Sequence, residues 1–94
     1  MIRLKSVSII VKGRVQGVAY RYYTELKATE LNLDGSVQNI EDGSVHILAT
    51  GEDGSIDSLI EWCSHGSPAS KVTELTVKEV PLIEINSAGF NVIR

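Results

Sequence analysis

The order of strand-like and helix-like segments most constrains how this 94-residue chain can fold. Two strand-like runs, 36–40 and 44–50, meet across Asp42-Gly43, a dipeptide typical of the tight turn of a β-hairpin. A helix-like segment precedes this hairpin, another follows it, and a further strand-like run lies outside each helix. The chain therefore alternates strand, helix, strand, strand, helix, strand, which predicts two βαβ units in one sheet.

The first strand and the first helix each show an apolar face. In the run 4–12, Val7, Ile9 and Val11 alternate on one side, and Ile10 makes the other side partly apolar, as in a central strand. The segment 20–32 has a helical period of three and four residues. Its predicted buried stripe is Tyr20, Tyr23, Thr24, Ala28 and Leu31.

The second half of the chain repeats the pattern. Residues 51–55 are rich in acids and glycine and predict a turn, after which apolar residues recur at helical spacing until Gly66-Ser67-Pro68. The run 72–80 is predicted to be a strand that ends at Pro81, and a last short strand is expected near the C-terminus. The apolar positions are Ile56, Leu59, Ile60 and Cys63 in the helix, Val72, Leu75, Val77 and Val80 in the strand, and Phe90, Val92 and Ile93 in the last strand.

Together these segments predict an α+β fold. The expected architecture is a ferredoxin-like βαββαβ sandwich, an antiparallel sheet with two helices on one face and a short extra C-terminal strand. The first two strands must run parallel, because a helix returns the chain between them through a right-handed crossover. We therefore expect the loop 13–19, Arg21 and Asn39 at the same end of the sheet.

The loop between the first strand and the first helix has features of a phosphate-binding loop. Gly13 and Gly17 bracket it, and successive N–H groups in such a loop can turn inward around an anion. The following helix adds its unpaired N–H groups, and Arg21 in its first turn can bind two phosphate oxygens. Most glycine-bounded loops only turn the chain, so that alternative stays open on these residues alone. Neither the Walker loop nor the three-glycine dinucleotide motif is present, so nucleotide binding is disfavoured.

Composition and charge narrow the functional class. The chain is expected to form one domain, 1–94, that acts autonomously, since it begins at Met1 and ends directly after the last strand. A net charge of −3 and the lack of a basic stripe argue against a nucleic-acid partner. The N-terminus lacks the long apolar stretch of a signal peptide, and no apolar run approaches membrane-spanning length. A single cysteine, Cys63, fits a reducing compartment, so the expected location is the cytoplasm.

The glycine-bounded loop, Arg21 and the hairpin belong to a set of motifs by which the chain resembles the acylphosphatase family. The resemblance extends over nearly the whole chain and includes the helix that carries Trp62. Small departures are Tyr20, where the family usually has Phe, Ser36, where an aromatic residue is frequent, and a looser turn at 67–72. The matching motifs are Gly13-Arg14-Val15-Gln16-Gly17-Val18, then Arg21, Leu31-x-Leu33-x-Gly35-x-Val37-x-Asn39, Asp42-Gly43 and the ending Phe90-x-Val92-Ile93-Arg94.

The resemblance implies hydrolysis of the carboxyl-phosphate bond of small acyl phosphates, giving a carboxylate and inorganic phosphate without a metal or other cofactor. It implies two catalytic residues, Arg21 and Asn39, with the Asn39 amide orienting the attacking water. The enzyme is expected to be a monomer. The residues implied to bind the phosphoryl group are Arg14, Val15, Gln16, Gly17 and Val18, through their backbone N–H groups, and the side chain of Arg21.

A function of a different class remains open at this stage. A ferredoxin-like sandwich can also be a non-catalytic anion-binding or regulatory module, because a fold does not determine a function. Such a module would hold phosphate without turnover and would not need Asn39 beside the loop. A related alternative is an acylphosphatase-like piece that acts only within a larger maturation enzyme.

Other residues with chemical potential are expected to have structural roles. His46 and His65 lack a neighbouring nucleophile or metal partner in the predicted fold, so we expect surface or cap positions for both. Cys63 lies on the apolar stripe of the second helix and is predicted to be a small core residue. Trp62 is expected to cap the core, and Asp42 to serve the turn rather than catalysis.

Overall fold

The computed structural model describes residues 3–82 and 89–94. Within them the chain forms five strands and two helices in the predicted order. These elements are β1 (Leu4–Arg14), α1 (Tyr20–Glu30), β2 (Asp34–Asn39), β3 (Val45–Glu52), α2 (Asp53–His65), β4 (Lys71–Val80) and β5 (Phe90–Ile93).

The strands form one sheet in the order β4-β1-β3-β2-β5. β3 pairs antiparallel with β1 on one side and with β2 on the other, so β1 and β2 run parallel to each other as predicted. β4 is antiparallel to β1, whereas β5 adds to the opposite edge parallel to β2. The ferredoxin-like βαββαβ prediction is confirmed, and the C-terminal strand makes the sheet mixed at that edge.

Both helices pack on one face of the sheet. α1 lies over β2 and β5, α2 lies over β1, β3 and β4, and the two helices contact each other. The predicted face of β1 is confirmed as buried, and so is that of α2 except for the half-buried Ile60. β1 is central, between β3 and β4. The core side chains from these elements include Val7, Ile9, Val11, Tyr20, Ala28, Ile56, Leu59 and Cys63.

Three local predictions are wrong. The turn expected at 51–55 does not form, since β3 continues to Glu52 and α2 begins at the next residue. α1 ends at Glu30 rather than at 32, where Asn32 already has a left-handed φ of 59°. Tyr23 is 38% exposed, because the helix buries only the narrow stripe of every fourth residue: Tyr20, Thr24 and Ala28.

Neither of the helices within the described ranges has the length and apolar character needed to cross a membrane.

Candidate active site

A cavity of about 200 Å³ opens at the end of the sheet where β1 and β2 both finish. Four parts of the chain form its wall: the loop 15–19, the first turns of α1, the end of β2 and the C-terminal strand. Gly17, Arg21 and Asn39 therefore share one cavity, in agreement with the convergence expected from the parallel β1 and β2. The lining residues are Val15, Gly17, Ala19, Tyr20, Arg21, Tyr22, Glu25, Asn39, Val92 and Arg94.

The loop backbone is held in a conformation that turns it toward the start of α1. Gly17 has a φ of 73° and Ala19, the residue that begins the helix, has a φ of 61°. No side chain caps the helix, and its first turn has no acidic residue, so the positive end of the helix dipole faces the cavity without a carboxylate of its own first turn.

Gly13, at the end of β1, is required for a different reason. Its φ is 126°, and an added Cβ would collide with the carbonyl oxygen of Lys71 on the neighbouring strand. The register between β1 and β4 also shifts between Lys12 and Gly13. The two backbones approach this closely at an irregularity in the pairing, and β1 stays paired with β4 through Arg14 before the loop begins.

Hydrogen bonds fasten the loop on both sides. The Gln16 Nε2 donates to the carbonyls of Ile40 and Ser44, each at 2.8 Å. The Ser67 Oγ donates to the Val18 carbonyl at 2.8 Å, which ties the far end of the loop to the turn after α2. At the helix start, the buried Tyr20 hydroxyl donates to a carbonyl of α2 at 2.8 Å. The loop is therefore preorganised by its contacts with three other parts of the fold.

Arg21 is oriented by the C-terminal strand. Its Nη1 donates to the Ile93 carbonyl at 3.0 Å. No described carboxylate forms an ion pair with it, although Glu25, one helical turn further on, lines the same cavity. Because a carbonyl does not neutralise a guanidinium, the positive charge of Arg21 stays available to an anion in the cavity.

Asn39 ends β2 at the cavity wall. Its Oδ1 is buried and accepts no hydrogen bond from any residue that the structure describes. A buried amide oxygen without a partner costs about 1–3 kcal/mol, so such a group marks a place where a ligand or water can donate. The amide can also donate through its NH₂ group.

Three residues predicted to bind phosphate, Arg14, Gln16 and Val18, do not line the cavity. Arg14 is the last residue of β1, exposed, in register with Lys71, and the side chains of Gln16 and Val18 are likewise outside the cavity lining. Sequence reasoning missed the contribution of Val92 and of the Ile93 carbonyl. Both contributions arise because β5 adds to the sheet beside β2. No local pattern in the sequence indicates to which edge of the sheet β5 adds.

The residues expected to be structural are placed accordingly. The His46 Nε2 lies 2.8 Å from the Ser8 Oγ, and His65 is exposed in the last turn of α2. Cys63 is buried in the core, and burial raises the pKa of its thiol to about 12, which keeps it protonated at neutral pH. The Trp62 ring packs 5.4 Å from the ring of Tyr20, between centroids.

The Asp42 carboxylate belongs to the hairpin turn. It accepts hydrogen bonds from the backbone N–H and the hydroxyl of Ser44, and these bonds lower its pKa. Across residues 3–82 and 89–94, no three His, Cys, Asp or Glu side chains are grouped so as to hold a metal ion.

Comparison with known proteins agrees with this fold. The acylphosphatase family model matches residues 7–92. An acylphosphatase from Methylococcus capsulatus is 47% identical over 77 residues, which covers 82% of this chain and 84% of that protein. The crystal structure of acylphosphatase from Bacillus subtilis has a TM-score of 0.90 and 40% identity, covering 98% of this chain and 100% of that one.

A larger protein contains a similar unit. HypF from T. kodakarensis matches with a TM-score of 0.82 and 28% identity over 96% of this chain, but the match covers only 12% of that chain. The family model and the Methylococcus and Bacillus relatives extend over most of this chain. This chain belongs to the acylphosphatase family, the enzymes that hydrolyse acyl phosphates.

Proposed function

We propose that the cavity is where this acylphosphatase hydrolyses its substrate, that the backbone of 14–18 and Arg21 bind the phosphoryl group, and that Asn39 orients the attacking water. One observation carries this proposal: three features lie around a single cavity, namely Arg21 without an ion-pair partner among the described residues, the uncapped N-terminus of α1, and Asn39, whose buried amide oxygen has no partner among those residues. The first two favour an anion, and the third favours a water molecule.

The phosphoryl side of the cavity fits the charge of the reaction. Transfer passes through a loose transition state with charge on three equatorial oxygens. Arg21 supplies two or more N–H donors, and the loop supplies backbone N–H groups that need no reorganisation because the loop is already fastened. Donors that are already fixed around these oxygens hold the phosphoryl group in place and need no rearrangement while the transfer proceeds.

Asn39 acts on the nucleophile. The water donates a hydrogen bond to the Oδ1 of Asn39, and its oxygen attacks phosphorus while the bond from phosphorus to the acyl oxygen breaks. The electron pair of that bond leaves with the carboxylate. Asn has no basic group to take the proton, so the proton of the water passes to a phosphoryl oxygen, and the products are the carboxylate and inorganic phosphate.

Neither a metal nor another cofactor is needed in this scheme. A mixed anhydride already has a good leaving group, and a guanidinium with fixed N–H donors provides the positive charge. We propose further that the chain works as a single domain and as a monomer, because its own loop, Arg21 and Asn39 supply every protein group that the scheme uses. The single buried cysteine supports a reducing compartment, and we propose the cytoplasm.

The test is hydrolysis of benzoyl phosphate in excess EDTA, with the wild type beside Asn39→Ala. We expect fast wild-type turnover and a loss on the order of 10²–10³ in kcat for the variant, as for removal of one preorganised hydrogen-bonding group, with inhibition by phosphate retained. Asn91→Ala, at an exposed position of β5, is the matched control and should keep wild-type kcat.

Three results would contradict the proposal. Activity that disappears in EDTA and returns with a metal would reject the metal-free scheme. An equal loss of phosphate affinity in Asn39→Ala would reject the division of roles. Phosphate binding without turnover above the uncatalysed rate would favour the non-catalytic anion-binding module.

A further inference from the structure

We infer that Gln16 is a positioning residue, whose side chain fixes the phosphate-binding loop against the strand end that carries Asn39. This inference rests on the proposed function. The Gln16 Nε2 donates to two carbonyls, those of Ile40 and Ser44, at 2.8 Å each. Ile40 follows Asn39 directly, so a side chain of the loop is bonded to the residue next to the proposed water-orienting amide.

The side chain of Gln16 does not face the substrate. Its neighbours Val15 and Gly17 line the cavity, whereas Gln16 is absent from the lining and is directed to the hairpin turn behind the loop. A change at Gln16 that keeps its volume therefore removes no contact with the phosphoryl group. Any effect on turnover must pass through the loop or through Asn39.

The turn that receives these bonds is itself well fixed. The N–H of Gly43 donates to the Ile40 carbonyl at 3.0 Å, and the N–H of Ile40 donates to the Ser44 carbonyl at 2.8 Å. The carboxylate of Asp42 holds Ser44 through its N–H and hydroxyl. Each carbonyl that Gln16 binds thus has a second donor, and Gln16 joins the loop to a turn with a defined geometry.

In this arrangement, substrate binding and the chemical step depend on different contacts. The loop and Arg21 set the position of phosphorus, Asn39 sets the position of the water, and Gln16 sets the distance between the two. A misplacement of about 1 Å can cost about 10²-fold in rate. Loss of the Gln16 bonds leaves the contacts from Ser67 to Val18 and from Arg21 to Ile93 in place, so the phosphate should still bind.

The experiment compares Gln16→Met with Gln38→Met. Methionine has a similar length but no donor, and the two carbonyls keep their bonds from the turn, so the variant should fold. Gln38 is exposed on β2 and is the matched control. We expect kcat on benzoyl phosphate to fall about 10- to 10²-fold for Gln16→Met, with the phosphate inhibition constant within about threefold of wild type. Gln38→Met should change neither.

A double-mutant cycle then tests whether Gln16 acts through Asn39. In the Asn39→Ala background, Gln16→Met should lower kcat by a much smaller factor than in the wild type, because the water is no longer held in place. Gln16→Glu replaces the donors with a carboxylate against the two carbonyls and should lower kcat at least as far as Gln16→Met. Circular dichroism of each variant checks that it is folded.

Unchanged kcat in Gln16→Met would overturn the inference. So would the same factor in both backgrounds, or a loss of phosphate affinity that matches the loss of kcat, since a role confined to loop structure gives those results. Failure of the proposed function is recognised separately: the wild type would not hydrolyse benzoyl phosphate, or Asn39→Ala would keep wild-type kcat whatever residue stands at position 16.

Discussion

The two halves of the βαββαβ fold contain equivalent strand-to-helix junctions with opposite properties. β1 reaches α1 through the loop 15–19, which contains two residues with positive φ. β3 passes into α2 without a loop, and Glu52, which precedes the helix, has an ordinary extended conformation with φ −64° and ψ 143°. The first junction forms the wall of the cavity, and the second does not contribute a residue to it.

The two helix N-termini differ in charge as well. The first turn of α2 contains Asp53, whose carboxylate pairs with Lys5 at 2.8 Å and whose N–H donates to the Arg3 carbonyl at 2.9 Å. The first turn of α1 has no acid and contains Arg21 instead. Both helices lack a side-chain cap, but α2 has an acid of its own in its first turn and α1 has none, which supports the proposal that an external anion binds at α1. We propose that this difference separates a structural junction from a functional one in the same fold.

Removal of the cation at the first junction should have the largest effect. Arg21→Ala is expected to lower kcat/KM by a factor on the order of 10²–10³ and to weaken inhibition by phosphate, because the variant loses a charged donor aimed into the cavity. Lys5→Ala removes the cation of the second junction and should leave kcat/KM unchanged. Steady-state kinetics of both variants decide the point, and near-normal kcat/KM in Arg21→Ala would remove Arg21 from the site.

The loop conformation is tested by Gly17→Val. No atom lies within 4 Å of a Cβ added at Gly17, so the damage comes from its φ of 73°, which costs a β-branched residue about 1–3 kcal/mol. We expect the backbone to relax and kcat/KM to fall by up to about 10²-fold. Gly54→Val, in α2 and equally free of steric contact, should retain activity. If both variants were equally active, the positive φ at Gly17 would have no role in binding.

The charge difference between the two helix N-termini can be tested by placing an acid at the start of α1. Ala19→Asp gives α1 the acid that α2 has, and Ala19→Asn is its uncharged partner at the same left-handed position, which both residues tolerate. A carboxylate beside the helix N-terminus should compete with phosphate and raise the phosphate inhibition constant roughly two- to fivefold relative to Ala19→Asn. Equal constants for the two variants would mean that the helix N-terminus does not contribute to anion binding.

The smallest effect is expected from Asp53→Asn, which alters only the structural junction. The hydrogen bond from Lys5 lowers the pKa of Asp53 below 3.8, its usual value. A depressed folded-state pKa stabilises the protein above the unfolded value, and this stability is lost as the pH falls through the folded value. Thermal unfolding should therefore show a slightly lower Tm for Asp53→Asn at neutral pH and no difference from wild type in strong acid. A reduced kcat in this variant would contradict the separation of roles.

The sequence was sufficient to predict the convergence of the loop, Arg21 and Asn39. The helix between β1 and β2 requires these strands to run parallel. The residues that follow each strand therefore lie at the same end of the sheet. The positive φ at Gly17 was likewise predictable, from the glycine and its place between a strand and a helix. These inferences depend on chain connectivity and local backbone sterics, which the sequence contains.

The rest depends on tertiary contacts. The contribution of Ile93 follows from the pairing of β5 with β2, and the orientation of the Gln16 side chain follows from carbonyls that lie 24 and 28 residues away. The turn expected at 51–55 failed because Asp53 and Gly54, typical turn residues, instead begin α2, where Lys5 pairs with the acid. Such residues are common both in turns and at the start of helices, so local composition does not distinguish the two structures.

The central claim, that the protein leaves only one of its two junctions open to an anion, can be measured directly by titrating inorganic phosphate into ¹⁵N-labelled protein. We predict saturable shifts of the backbone amides from Val15 to Arg21 and of the Asn39 side-chain amide, with the amides of 53–57 unchanged, and loss of this response in Arg21→Ala. Shifts of equal size at 53–57, or a response that persists undiminished in Arg21→Ala, would contradict the account.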